Sequence, residues 1–155
     1  MILIKFVCMF SLILWLGAVV FFSFVVAPCL FSSLGSELAG KSLGKIFPIY
    51  YALGTVFGLL LFLGTGLWAW MEDEWSWNLL LSLTTCAVML GANLYAGYEI
   101  SPKIREIKLK LASEIPHEKD LFQGEFNRLH RHSVILNGVV LLLGLAFTVF
   151  LVLRI

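Results

Sequence analysis

Four stretches of this chain are so long, so apolar and so poor in charge that water is excluded as their solvent. A membrane-spanning helix needs about 20 mostly apolar residues, because the hydrocarbon layer is about 30 Å thick and each helical residue rises about 1.5 Å. The stretches that meet this requirement are 6–31, 49–71, 77–98 and 133–153. Composition agrees: of 155 residues, 60% are hydrophobic and 14% charged, where a soluble domain carries about 45–50% and about 25%. No run alternates polar and apolar residues as a barrel strand would. The expected fold is therefore all-α, a polytopic membrane protein with a four-transmembrane-helix bundle, in which residues 1–155 make a single integral-membrane domain. A soluble enzyme and a disordered chain are excluded. A formal net charge of +1 also argues against a nucleic-acid partner, which demands a strongly basic face.

The flanks set the expected orientation, since Lys and Arg stay on the cytoplasmic side. The connections 32–47 and 99–132 carry Lys41, Lys45, Lys103, Arg105, Lys108, Lys110, Lys119, Arg128 and Arg131, whereas the other side carries only Lys5 and Arg154. Nine against two predicts both termini outside and both longer loops in the cytoplasm, in a bacterial inner membrane. The first span follows Lys5 as a signal peptide would, but it exceeds 20 residues and lacks a small-residue cleavage signature at Val26-Ala27-Pro28-Cys29; it is expected to remain. On the outer side, Glu72-Asp73-Glu74 is flanked by Trp68, Trp70, Trp75 and Trp77, rings that favour the headgroup layer. An anchored turn is the simpler reading; a cation-collecting mouth is the competing one.

Within lipid, helices associate through small residues and interhelical hydrogen bonds. Packing seams are expected at Gly54-x-x-x-Gly58, with Thr55 and Thr65, in the second span, and at Ser82, Cys86, Met89, Asn93 and Ala96 in the third. A third seam is expected at Ser133, Asn137, Gly144 and Thr148 in the fourth. Pro48 is expected at the first turn of the second span, Pro28 to kink or end the first, and Pro102 and Pro116 to break the long loop. Inside that loop, Ile104, Ile107, Leu111 and Ile115 alternate with Lys103, Arg105, Glu106, Lys108 and Lys110. This amphipathic cytoplasmic segment, and a shorter one at Leu121, Phe122, Phe126 and Leu129, either lie on the inner leaflet or lengthen the third and fourth spans; the pattern leaves both open.

The centres of all four spans lack Asp, Glu, Lys, Arg and His, which counts against a proton relay or ion-coupled transporter. Polar side chains gather instead at the cytoplasmic end. Tyr50 and Tyr51 open the second span, Tyr95 and Tyr98 close the third, and His130 and Asn137, seven residues apart, share a helix face. The candidate binding cluster is Asn93, His130 and Asn137, with Glu99 as a partner for His130 or Arg131. Its structural reading is a direct hydrogen bond from Asn93 to Asn137 across helices, worth about 1 kcal/mol; its functional reading is a ligand site. No catalytic residues or metal ligands are assigned. No nucleophile stands beside a base, and Cys8, Cys29 and Cys86 lie in apolar runs taken to be at different depths, without a disulfide or CxxC pattern.

Trp15-x-Gly17-x-x-x-Phe21-Phe22, Ala27-Pro28-x-x-Phe31, Gly40, Phe47-Pro48-x-Tyr50-Tyr51, Asn93 with Pro102, and Leu129-His130-x-x-Ser133-x-x-x-Asn137 together resemble the transmembrane protein 205-like family. The resemblance covers essentially the whole chain and implies four spans but no settled reaction. A more distant likeness, through Trp15, Gly17 and Phe22, is to copper-resistance and haem-synthesis membrane proteins. It implies metal or haem on membrane histidines, yet the first three spans contain no histidine. The expected function is thus a non-enzymatic membrane protein aiding transport, solute tolerance or a larger complex, without a cofactor. Its partners are the lipid bilayer and other membrane subunits or further copies of itself. The alternatives are a haem- or quinone-linked redox protein using His130, His132 or His117, and metal transport through scattered Cys and Met residues.

Overall fold

The structure is a computed structural model that describes residues 2–72, 77–113 and 119–154. All described residues are helical. Four helices are long and apolar enough to cross a membrane. The first runs through Ile2–Gly35, the second through Glu37–Met71, the third begins at Trp77 and continues to Ser113, and the fourth is Lys119–Arg154. The first packs on the second, the second on the third, the third on the fourth and the fourth on the first. The second and fourth helices therefore stand diagonally opposite, as do the first and third.

The spans are longer than hydropathy alone defines, and the 32–47 and 99–132 connections shrink accordingly. Of the 32–47 connection, only a corner at Gly35 remains, with φ 71° and ψ 171°. A left-handed φ of this kind carries no Cβ penalty in glycine, so the chain reverses within one turn. Pro48 consequently sits a dozen residues inside the second helix rather than at its start. Residues 101–113 do not lie on the leaflet: they continue the third helix, and Ile104 and Ile107 are buried where this segment packs on the fourth helix. The fourth helix begins at Lys119, so the Leu121–Leu129 segment also lengthens a span. Leu111 is only partly buried, while Ile115, Pro116 and His117 lie outside the described residues.

Pro28 and Pro102 interrupt neither helix. Each follows a π-helical turn, Phe22–Val26 and Ala96–Ile100, closed by the Ala27 N–H bonding the Phe22 carbonyl and the Ser101 N–H bonding the Ala96 carbonyl. A proline lacks the N–H for an i→i−4 bond, and its ring clashes with the carbonyl of the preceding turn. Widening that turn by one residue draws the carbonyl away and lets the helix proceed.

The core is built on the expected stripes. All five third-helix positions, Ser82, Cys86, Met89, Asn93 and Ala96, are buried. Cys86, Met89 and Ala96 share one buried cluster with Leu12, Trp15 and Val19 of the first helix, Leu61 of the second, and Val140 and Phe147 of the fourth. Gly54 and Gly58 form a seat for the Trp15 indole: a Cβ on Gly58 would lie 2.9 Å from the ring and 2.9 Å from Leu90. Gly144 likewise receives Leu16. Thr148 leaves the fourth-helix seam; it is exposed and bonds the Gly144 carbonyl.

At the end opposite the Gly35 corner, Trp70 and Trp77 are exposed at 70% and 86%, as headgroup anchors require, but Trp68 is buried at 2%. Its ring carries the Lys5 ammonium 4.6 Å from the centroid, so Lys5 extends along the protein surface while its charge rests on an aromatic face. Asp73, Glu74 and Trp75 and the Glu72 side chain lie outside the described residues.

Candidate functional site

The site is assembled around two adjacent tyrosines, Tyr50 and Tyr51, in the half of the second helix that begins at the Gly35 corner. Tyr51 is its hub. Its hydroxyl lies 3.0 Å from the Ser133 hydroxyl and accepts a bond from Asn137 Nδ2 at 3.4 Å, while the Tyr50 hydroxyl donates to Asn137 Oδ1 at 3.2 Å. A tyrosine is long enough to reach across the diagonal between the second and fourth helices, whose backbones are not neighbours. The Tyr51 carbonyl receives Asn93 Nδ2 at 3.0 Å and the Thr55 hydroxyl at 2.9 Å, and Asn93 Nδ2 also donates to Thr55 Oγ1 at 3.1 Å. Six side chains thus tie three helices together. Each interhelical bond of this kind contributes about 0.6 kcal/mol, up to about 1.7 kcal/mol.

The two π turns grip this pair from either side. Phe22, from the first helix, stacks on Tyr50 with ring centroids 4.7 Å apart, and Phe47 stacks on Tyr51 at 5.9 Å. From the third helix, Gly97 meets Tyr51 so closely that a Cβ there would lie 2.7 Å from the tyrosine Cβ. Gly54 admits the amide of Asn93: any side chain at this position would collide with Asn93 Oδ1 and come within 3.0 Å of Trp15 Nε1.

The four residues singled out by sequence divide in half. Asn93 and Asn137 enter the site, but through Tyr51 rather than by bonding each other, since they contact opposite ends of the same residue. Glu99 is exposed and pairs with Lys103 at 3.2 Å, one turn along its own helix. His130 is exposed on the fourth helix, its ring parallel to that of Phe126 at 5.9 Å. The Lys108 ammonium lies 5.3 Å from the same Phe126 ring and donates to the Gly40 carbonyl at 3.2 Å, joining the second, third and fourth helices below the polar site. Tyr50 and Tyr51 were legible by height, and Thr55 and Ser133 as seam residues; what sequence did not supply was their convergence on one hydroxyl and one carbonyl.

Cysteine depth requires a correction. Cys8 and Cys86 are fully buried at 0% exposure, and the Thr65 hydroxyl faces both thiols, so they share one level of the core, toward the tryptophan-rich end. Cys29 is exposed and apart. Among the described residues, no three or more His, Cys, Asp or Glu side chains gather in a metal-binding group.

The family described as a domain of unknown function, DUF4149, matches residues 10–113, a stretch that includes Trp15, both π turns, the paired tyrosines and Asn93. A stretch of 51 residues is 49% identical to a protein of Aquifex aeolicus (strain VF5) described as "Uncharacterized protein". It covers 32% of this chain and 39% of that one, so the match spans about two fifths of the relative's length. No solved structure matches the chain.

Proposed function

The chain belongs to the DUF4149 family, and from that premise we propose that it is a non-enzymatic integral membrane subunit that supports transport or solute tolerance within a larger assembly. One observation carries this reading. The polar side chains of the inner half, from Tyr50 and Tyr51 to Asn93, Ser133 and Asn137, bond one another across helices. Buried polar groups in lipid either serve a ligand or hold helices together; here their hydrogen-bonding capacity is directed at the helices. The likeness to four-span membrane proteins without a settled reaction supports the same reading. The basic flanks support termini outside a bacterial inner membrane and the Gly35 corner inside.

The test is purification from native membranes in mild detergent, with an absorption spectrum and metal analysis of the same sample. The expected result is a colourless, metal-free chain accompanied by a membrane partner in fixed ratio. A Soret band that disappears in His130→Ala would replace this reading with the haem-linked one. A reporter fused after Ile155 is expected to read extracytoplasmic.

A further inference from the structure

Next to the polar site, the second and third helices separate and then rejoin. At the membrane end they touch where Gly97 meets Tyr51, and at the aqueous end the Lys108 ammonium bridges to the Gly40 carbonyl. Between these closures lies a crevice of about 220 Å³ that opens sideways from the protein. Its width has a local cause. Gly44 and Gly97 contribute no side chains, while Pro48 and Pro102 present rigid rings from facing walls. The third-helix wall is also widened by the π turn that precedes Pro102.

The rim is polar on one side only. Tyr98, Ser101 and Arg105 all come from the third helix, and Arg105 and Tyr98 are exposed. The nearby carboxylates are already engaged within their own helices: Glu99 with Lys103, Glu106 with Lys110, and Glu37 with Lys41. Among the described residues, Arg105 has no acidic partner. A guanidinium and two hydroxyls thus stand beside a small-residue apolar slot, where the third apolar stretch of the sequence closes at Tyr98. That arrangement matches a phosphate followed by a hydrocarbon tail, because Arg presents donors in the fork that phosphate oxygens accept.

We infer that this crevice binds one anionic phospholipid of the leaflet that faces the basic ends of the helices, its phosphate on Arg105 with Tyr98 and Ser101, and an acyl chain in the slot between Pro48 and Pro102. The inference is independent of the scaffold function proposed above. It requires only that the helices span a bilayer.

The experiment is native mass spectrometry of the full chain released from nanodiscs containing equal phosphatidylglycerol and phosphatidylcholine. The expected result is one retained phosphatidylglycerol, with occupancy reduced roughly tenfold in Arg105→Gln, in line with the loss of a charge-assisted hydrogen bond. Ala52→Phe, which fills the slot from an exposed position on the second helix, is expected to reduce it as far. Lys119→Gln, on the fourth helix, is expected to leave it unchanged. Circular dichroism and monodisperse elution establish that each variant is folded. Equal retention of the two lipids, or unchanged occupancy in both crevice variants, would overturn the inference. So would displacement of the lipid by millimolar inorganic phosphate, which would identify the free anion as the ligand.

Discussion

The first and third helices carry the same frame and fill it with different chemistry. Their π turns and the prolines that follow are both 74 residues apart, from 22 to 96 and from 28 to 102. At that offset, buried Cys8, Leu12, Trp15, Val19 and Phe22 correspond to buried Ser82, Cys86, Met89, Asn93 and Ala96. The first helix sets the Phe22 ring on Tyr50, with the Trp15 indole seated on Gly54 and Gly58 above, whereas the third sets the Asn93 amide and a bare Gly97 against Tyr51. Space is therefore filled on one flank, while on the other it is left as hydrogen bonds and a lateral crevice. The backbone device lets each helix pass a proline; the side chains around it decide whether that level is a wall or a site.

The sharpest way to break this contrast is steric. Gly54→Val pushes into Asn93 and Trp15 together and is expected to cost about 3 kcal/mol from overpacking alone, read as an earlier thermal transition by circular dichroism in detergent. Gly17→Ala on the first helix meets nothing within 4 Å and is expected to gain about 0.5 kcal/mol of helix stability. Next in size, Asn93→Val gives the third helix the residue that occupies position 19 of the first. It removes the bonds to Tyr51 and Thr55 and is expected to cost about 1–2 kcal/mol by the same measurement.

Pro102→Ala and Pro28→Ala test whether proline sets the widened turns. Each is expected to leave stability within about 1 kcal/mol, while hydrogen exchange shows the new amide protected as the turn relaxes toward α geometry. A turn that stays wide in both variants would mean that packing on Tyr50 and Tyr51 holds it. The smallest effect belongs to Glu99→Gln. This residue's pair with Lys103 is exposed on both partners and is worth less than about 0.5 kcal/mol.

How much of this was legible in the residues depends on whether one helix or several had to be considered. The third-helix stripe was readable because a 3.6-residue period needs only its own chain, and all five of its members are buried. Asn93 and Asn137 stood out as polar groups in apolar runs. Their shared partner did not, because it depends on which helices face each other across the diagonal. Cys8 and Cys86 seemed to lie at different depths until the two helices were aligned from their outer ends. The 101–113 segment read equally well as a surface helix because Ile104 and Ile107 show that a face is covered without showing by what; the fourth helix covers it. Pro102 was expected to break the long loop, and the π turn that precedes it is the compensation that sequence periodicity does not register.

The straight continuation of the third helix past Ser101 has one last consequence. Thirteen more residues carry it roughly 20 Å farther, with the fourth helix beside it and the first two helices reaching nearly as far, since Lys108 bonds the Gly40 carbonyl five residues from the Gly35 corner. Seen edge-on in a lipid disc, the protein would be lopsided: nearly level at the tryptophan face, with a stub of all four helices projecting from the other. That silhouette offers a fiducial mark for telling the two faces apart by eye, even in images too coarse to resolve a side chain.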